Sequence, residues 1–90
     1  MFKRTDLNLL LDISEAISKI EKYTYKASYD FFSQDDKTID AVVRNLEIIG
    51  EAASKISENF KNKKTHIEWR KIIGLRNRIV HEYFGIDIKI

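Results

Sequence analysis

The sequence predicts an all-α protein. Its 90 residues contain no proline and only three glycines, so little in the chain interrupts a helix. Apolar residues recur at alternating spacings of three and four in long segments, and no useful length alternates as a strand would. The length suits one domain spanning residues 1–90. A chain this short buries only about 60–65% of its unfolded surface, which favours an oligomer.

The first helix is predicted to run from Leu7 to Tyr25, with Thr5 or Asp6 as its N-cap. Apolar residues recur along it at the spacing of one helical stripe, and such a stripe is typical of a face that packs in a core. The stripe comprises Leu10, Ile13, Ile17, Ile20 and Thr24, broadened by Leu11 and Ala16.

The connection over residues 26–37 carries three aromatic side chains, Tyr29, Phe31 and Phe32. We expect them to pack over the end of the bundle. Stacking on nucleobases is the alternative, because every base offers an aromatic face to such side chains.

The second helix is predicted from Thr38 to Phe60, with Ser33, Asp35 or Asp36 as its N-cap. Its two apolar edges predict two partners, the first helix and a second chain. One edge comprises Ile39, Val42, Leu46, Ile49, Ala53, Ile56 and Phe60, and the other Val43, Ile48 and Ala52. Gly50 lies inside this helix at a cost of about 1 kcal/mol relative to alanine. A close helix–helix crossing would explain the glycine.

The third helix is predicted from Ile67 to Tyr83. Thr65 to Glu68 matches the S/T-x-x-E capping box, and Gly85 suits the position just past a helix end. We interpret His66, within the cap region, as an exposed turn residue rather than a catalyst.

The charge of the chain is unevenly distributed. Residues 61–78 hold seven basic side chains and one acidic one, a formal +6, which leaves −4 for the remainder. An anionic partner such as nucleic acid would explain this segment, and a solvated lysine-rich surface is the alternative for Lys61, Lys63 and Lys64.

Several classes of protein are excluded by what the sequence lacks. It has no apolar run long enough for a membrane span and no secretory signal pattern at its start. It has no cysteine, hence no disulfide and no thiolate metal site. No histidine–carboxylate cluster has the spacing of metal ligands, so neither a metal nor a cofactor is predicted. These features favour the cytoplasm.

Polar side chains with phosphate chemistry gather near the end of the third helix. His81 has an ordinary pKa near neutrality and could act as general base or acid. Arg76 and Arg78 could bind phosphate and stabilise charge in a phosphoryl-transfer transition state, and Asn77 could orient the imidazole. Since RNA carries its own nucleophile, the 2′-hydroxyl, such a set could cleave it without a metal.

Helix geometry keeps Arg76 and His81 apart, because five residues place them about 140° from each other around the axis. A distorted helix end, a wrapped arginine side chain or a second chain could bring them together. The structural alternative is a histidine stabilised by the helix dipole, with the arginines paired to Glu82 and Asp87.

The spacing Arg76-x4-His81-x-Tyr83 resembles the R-x4-H-x-Y signature of the HepT-like toxins, which belong to the HEPN superfamily of helical ribonucleases. Residues 73–87 resemble this family almost throughout, and Arg44 to Ala52 is similar to its central helix. The resemblance covers essentially the whole chain.

The resemblance implies an antiparallel up-and-down helical bundle that forms a homodimer, with the two motifs flanking a shared cleft. It implies a metal-independent endoribonuclease, the toxin of a toxin–antitoxin pair, with Arg76 and His81 as the catalytic residues. The antitoxin would be a small MNT-type nucleotidyltransferase that transfers AMP to Tyr83 and so blocks RNA. The alternative function is a non-catalytic, nucleotide-binding partner or AMP-acceptor subunit of that enzyme. The family usually continues into a further C-terminal helix, whereas this sequence ends at Ile90.

Overall fold

A computed structural model describes residues 5–78, and the regular structure in that range consists of helices alone. The helices are α1 (Asp6–Thr24), α2 (Tyr29–Gln34), α3 (Asp36–Lys55), α4 (Glu58–Lys63) and α5 (Trp69–Arg78). The predicted all-α class is therefore confirmed. His81, Tyr83 and the predicted end of the third helix lie outside the described residues.

The three longer helices form an up-down-up bundle. Asp6, at the start of α1, accepts hydrogen bonds from Ser57, which lies just past the end of α3, so these two helices are antiparallel. At the same end, Trp69 of α5 packs on a cluster that includes Ile56. Further along α5, Arg76 lies against Gly50, so α5 is antiparallel to α3.

The core is small and centres on Leu9, Ala52 and Ile56. Phe60 and Trp69 close it at one end in an edge-to-face contact, with ring centroids 6.2 Å apart. Such aromatic pairs contribute about 0.5–1.5 kcal/mol beyond the area that they bury.

The predicted stripe of the first helix is partly wrong. Ala16 is buried as expected, but Ile17 is 46% and Leu11 57% exposed. The most buried apolar side chain near the start of α1 is instead Leu9. α1 packs mainly on α3, and residues at the edge of the stripe fall outside the face of about 100° that this packing covers.

The second helix ends earlier than predicted, at Lys55 rather than Phe60. Ser57 is the reason, because its side-chain oxygen accepts a hydrogen bond from the Phe60 amide and so caps a new helix, α4. Apolar spacing continues across the break, which is why periodicity alone did not reveal it. The N-cap of α3 is Asp35, one of the three candidates, and its carboxylate accepts a hydrogen bond from Thr38.

The connection after α1 contains an unpredicted short helix, α2, capped by Ser28. Tyr29 is 82% and Phe31 56% exposed, so the expectation that they pack over the bundle is wrong for these two. Phe32 is half-buried. A helix of only six residues that lies against α3 has one narrow face to bury, and most of its aromatic surface stays in solvent.

The third helix begins at Trp69, later than predicted. The residues of the expected capping box form a turn instead, held by a backbone bond from the Ile67 amide to the Lys64 carbonyl. The Trp69 indole donates to that same carbonyl at 3.1 Å, which fixes the turn against the next helix. His66 is exposed in this turn, as predicted.

Candidate functional site

The candidate site is built around Arg76, where α5 passes closest to α3. A Cβ placed on Gly50 would lie 2.5 Å from the Arg76 Cβ, a separation that real side chains essentially never show. Gly50 is buried, and its missing side chain is what allows the two helices to approach. The close crossing predicted at this glycine is therefore confirmed, and the residue that it accommodates is the predicted catalytic arginine.

The Arg76 guanidinium is held by a carboxylate from α3. Its Nε lies 3.0 Å from Glu51 Oε2, and the other oxygen of Glu51 lies 3.6 Å from Lys55 Nζ. Arg76 and Glu51 are each a little under half exposed, so solvent still reaches the pair. Within the described residues, the Arg76 guanidinium is thus paired with the Glu51 carboxylate, and its Nη1 also donates a long hydrogen bond to Asn77 Oδ1 at 3.5 Å.

A cleft of about 320 Å³ opens beside this ion pair, between α1, α3 and α5. Its apolar lining comes from Leu9, Ile48 and Ala52, and its charged lining is evenly divided between three acidic and three basic side chains. The acidic ones are Asp12, Glu47 and Glu51, and the basic ones are Arg44, Lys55 and Arg76. The cleft is large enough for a small ligand, and its six charges formally cancel.

The remaining predicted site residues are only partly placed. Asn77 and Arg78 are exposed at the end of the described part of α5. His81 and Tyr83 fall outside residues 5–78, so the pairing of Arg76 with His81 stays a prediction. Within those residues, no group of three or more histidine, cysteine, aspartate or glutamate side chains is arranged to hold a metal ion.

The basic segment is more neutralised than its formal charge indicates. Lys61 is buried along its stem, with its amine 3.9 Å from Glu58. Lys71 lies 3.1 Å from Glu68. Exposed Lys63, Lys64 and Arg70 form no ion pair within 4 Å among the described residues. For Lys61, the interpretation as part of a nucleic-acid surface is therefore wrong, since burial removes its stem from such a surface.

Sequence reasoning proposed Arg76 but missed its partner Glu51 and the Lys55 and Asp12 side chains that line the same cleft. The available signal was the glycine before Glu51. A helix that tolerates Gly50 marks a crossing point, and a charged residue beside a crossing can reach the helix that passes over it.

The sequence matches the family described as "Ribonuclease HepT-like" over residues 13–90. This match spans most of the chain, and it agrees with an all-helical fold whose close crossing carries the arginine of the motif. The chain belongs to the HepT-like ribonuclease family.

Curated relatives point to the same family. A protein of Thermococcus cleftensis named "Probable ribonuclease HepT" is 42% identical over 88 residues, which are 98% of this chain and 80% of that protein. Two proteins of Methanocaldococcus jannaschii, provisionally named as RNases, are 41% and 39% identical over 90% and 97% of this chain. The matches cover 67% and 80% of those two proteins. No solved structure matches the chain.

Within residues 5–78, no helix combines the length and the apolarity that a bilayer crossing requires.

Proposed function

We propose that this protein is a metal-independent endoribonuclease whose catalytic residues are Arg76 and His81. The observation that carries the proposal is the fixed position of Arg76, which Gly50 admits and Glu51 holds beside a cleft of about 320 Å³. An arginine that is ordered but still partly exposed can receive a phosphate without first being extracted from a core.

The chemistry follows from the two residue types. His81 takes the proton of a ribose 2′-hydroxyl, and the resulting oxygen attacks the adjacent phosphorus. The bond from phosphorus to the 5′-oxygen breaks, and the leaving oxygen takes up a proton, which gives a cyclic phosphate and a free 5′-hydroxyl. Arg76 stabilises the negative charge that grows on the phosphoryl oxygens. Asn77 and Arg78, exposed beside it, support orientation and phosphate binding.

The biological role that we propose is that of a toxin in a toxin–antitoxin pair. The protein acts as a homodimer in the cytoplasm, and an MNT-type nucleotidyltransferase neutralises it by transferring AMP to Tyr83. AMP at that position adds a bulky anion two residues from His81, where it repels the RNA phosphate. The support for this role is the R-x4-H-x-Y spacing together with the family assignment.

The test is cleavage of single-stranded RNA by purified protein in EDTA. Replacing Arg76 or His81 by alanine should lower the cleavage rate by about 10²-fold or more, because general acid–base catalysis and transition-state charge stabilisation each contribute a rate acceleration of that size. Arg70→Ala is the matched control, because Arg70 is an exposed arginine on the same helix and does not line the cleft. Cleavage that survives both Arg76→Ala and His81→Ala would refute the proposal.

A second candidate function is a non-catalytic AMP-acceptor subunit of the nucleotidyltransferase. The observation that favours it is the balanced charge of the cleft, which gives RNA no net attraction. Mass spectrometry after incubation with the nucleotidyltransferase and ATP should then show added AMP on the wild type and none on Tyr83→Phe, with no RNA cleavage by the unmodified protein.

A further inference from the structure

Glu51 lies on α3 and contacts the motif arginine, Arg76, on α5. The R-x4-H-x-Y motif does not include this glutamate. We infer that Glu51 is a positioning residue, which orients the Arg76 guanidinium for phosphate without touching the RNA. The effect of Glu51 on catalysis rests on the proposed function. Its effect on the orientation of the Arg76 side chain can be tested without RNA.

The contact geometry fits this role. Glu51 Oε2 lies 3.0 Å from Arg76 Nε, so the carboxylate engages the inner nitrogen of the guanidinium. The two terminal nitrogens are then left for a ligand, apart from the long 3.5 Å approach of Nη1 to Asn77. A planar guanidinium held at Nε cannot rotate freely, and its remaining N–H groups keep the fork geometry that matches phosphate oxygens.

The backbone around Glu51 strengthens the argument. Glu51 follows Gly50, the residue whose missing side chain lets the Arg76 backbone approach. Gly50 therefore sets the distance between α3 and α5, and Glu51 sets the direction of the Arg76 side chain that lies between them. Glu51 also lies 3.6 Å from Lys55 on its own helix, which fixes the carboxylate itself.

Stability alone does not account for the pair. Both side chains of the Glu51–Arg76 contact are more than two-fifths exposed, and ion pairs with that access to solvent stabilise folds little. The pair lies at the cleft rather than in the core cluster around Leu9 and Ile56. The remaining physical effect of the contact is to hold the Arg76 guanidinium in one orientation, and catalysis depends on such positioning.

The first arm of the test is spectroscopic and needs no RNA. In the folded protein, the Arg76 Nε–H resonance, identified by its loss in Arg76→Lys, should exchange slowly with water. Glu51→Ala should speed this exchange by about 10-fold or more, because the hydrogen bond from Nε is lost. Glu51→Gln, which keeps an acceptor oxygen, should fall between the two. Glu15→Ala, which removes an exposed carboxylate paired with Lys19 on α1, should leave the resonance unchanged.

The second arm measures RNA cleavage. Glu51→Ala should lower kcat by about 10- to 100-fold, the effect of a misplaced catalytic group. KM should stay the same or fall, because removing a negative charge beside the cleft strengthens its attraction for RNA. Glu51→Gln should recover part of kcat, and Glu15→Ala should match the wild type. Circular dichroism must show that each variant is folded.

The outcomes separate this inference from the proposed function. Unchanged Nε–H exchange in Glu51→Ala overturns the positioning role, whether or not the wild type cleaves RNA. Faster exchange with unchanged kcat also overturns it, because the orientation then has no catalytic effect. If the wild type cleaves no RNA, and Glu51→Ala still speeds the Nε–H exchange, then Glu51 does orient Arg76 but the proposed nuclease function is refuted.

Discussion

Two glycines of the described chain lie inside helices, and their surroundings are opposite. A Cβ on Gly50 would meet Arg76 at 2.5 Å, whereas a Cβ on Gly74 would meet nothing within 4 Å. The sequence alone marks both as unfavourable in a helix, but only the fold shows which of them is required. Replacing Gly50 by alanine is therefore favoured by helix propensity but opposed by packing, whereas packing does not oppose the same change at Gly74.

Gly50→Ala should destabilise the protein by about 1–3 kcal/mol, because the added methyl group forces α5 away from α3 and outweighs the gain in helix propensity. Gly74→Ala, the matched control, should stabilise it by about 0.5–1 kcal/mol. Urea unfolding followed by circular dichroism measures both. A stabilised Gly50→Ala would contradict the close crossing. The crossing also predicts that Gly50→Ala disturbs RNA cleavage, because it displaces Arg76.

The sequence predicted only part of the candidate site. Arg76, Asn77 and Arg78 were identified from residue chemistry within one short segment. Glu51 was not, because it lies on another helix and no spacing rule links the two positions. Only the crossing of α3 and α5 brings the carboxylate to the arginine.

At the scale of elements, the junction between α1, α3 and α4 depends on a single serine. The Ser57 amide donates to Asp6 Oδ1 at 2.9 Å, and its hydroxyl donates to Oδ2 at 2.6 Å. These two hydrogen bonds, with a smaller contribution from the charge of Lys61, lower the pKa of Asp6 below its usual value near 3.8. The ionised carboxylate therefore holds the start of α1 to the end of α3.

This junction predicts a dependence of stability on pH. Because the folded pKa of Asp6 is depressed, its contribution is fully present above pH 3.8 and disappears as the pH falls through the lower folded pKa. Asp6→Asn should thus be less stable than the wild type at pH 6, and the difference should vanish in stronger acid. Urea unfolding across this range measures it. Asp30→Asn, which removes a carboxylate from the first turn of α2, controls for the effect of a helix terminus.

If Asp6→Asn and Asp30→Asn change stability equally at pH 6, the contact with Ser57 contributes nothing of its own. An NMR titration of the Asp6 carboxyl gives the independent check, and a pKa at or above 3.8 would contradict the two hydrogen bonds.

Element boundaries were the least predictable part of the fold, and Ser57 shows why. Apolar periodicity is a local signal and correctly located α1, α3 and α5. The break before α4 involves a serine whose partner, Asp6, lies 51 residues earlier at the start of α1. The shift of α5 to Trp69 likewise depends on an indole that reaches back to Lys64. The first of these contacts is fixed by tertiary structure, and neither leaves a mark in the spacing of apolar residues.

For the whole molecule, the up-down-up order of α1, α3 and α5 agrees with the bundle that the family resemblance implies. The described cleft is incomplete as a nuclease site, since its charged lining is balanced and its described residues include no histidine. A homodimer in which one chain supplies Arg76 and the other His81 would complete it and would overcome the separation of about 140° that an ideal helix would give the two residues.

Mixing inactive chains tests this arrangement. Arg76→Ala and His81→Ala should each be inactive alone, whereas their co-refolded mixture should regain about a quarter of wild-type activity. Half of the dimers in a random mixture are mixed, and each of them keeps one of two sites. Native mass spectrometry should confirm that mixed dimers form. If mixed dimers form without activity, arginine and histidine come from the same chain.

The contact between Gly50 and Arg76 has an evolutionary consequence. A residue at position 50 larger than glycine becomes acceptable only where α5 has moved away, because the clash is with the Cβ and backbone of residue 76. Helix propensity and the close approach of α5 therefore act against each other at one glycine, which gives up about 1 kcal/mol of helix propensity. In a lineage that no longer uses the arginine, α5 is free to shift, and alanine then becomes acceptable at this position. Alanine there should accompany loss of the arginine among relatives that have lost activity.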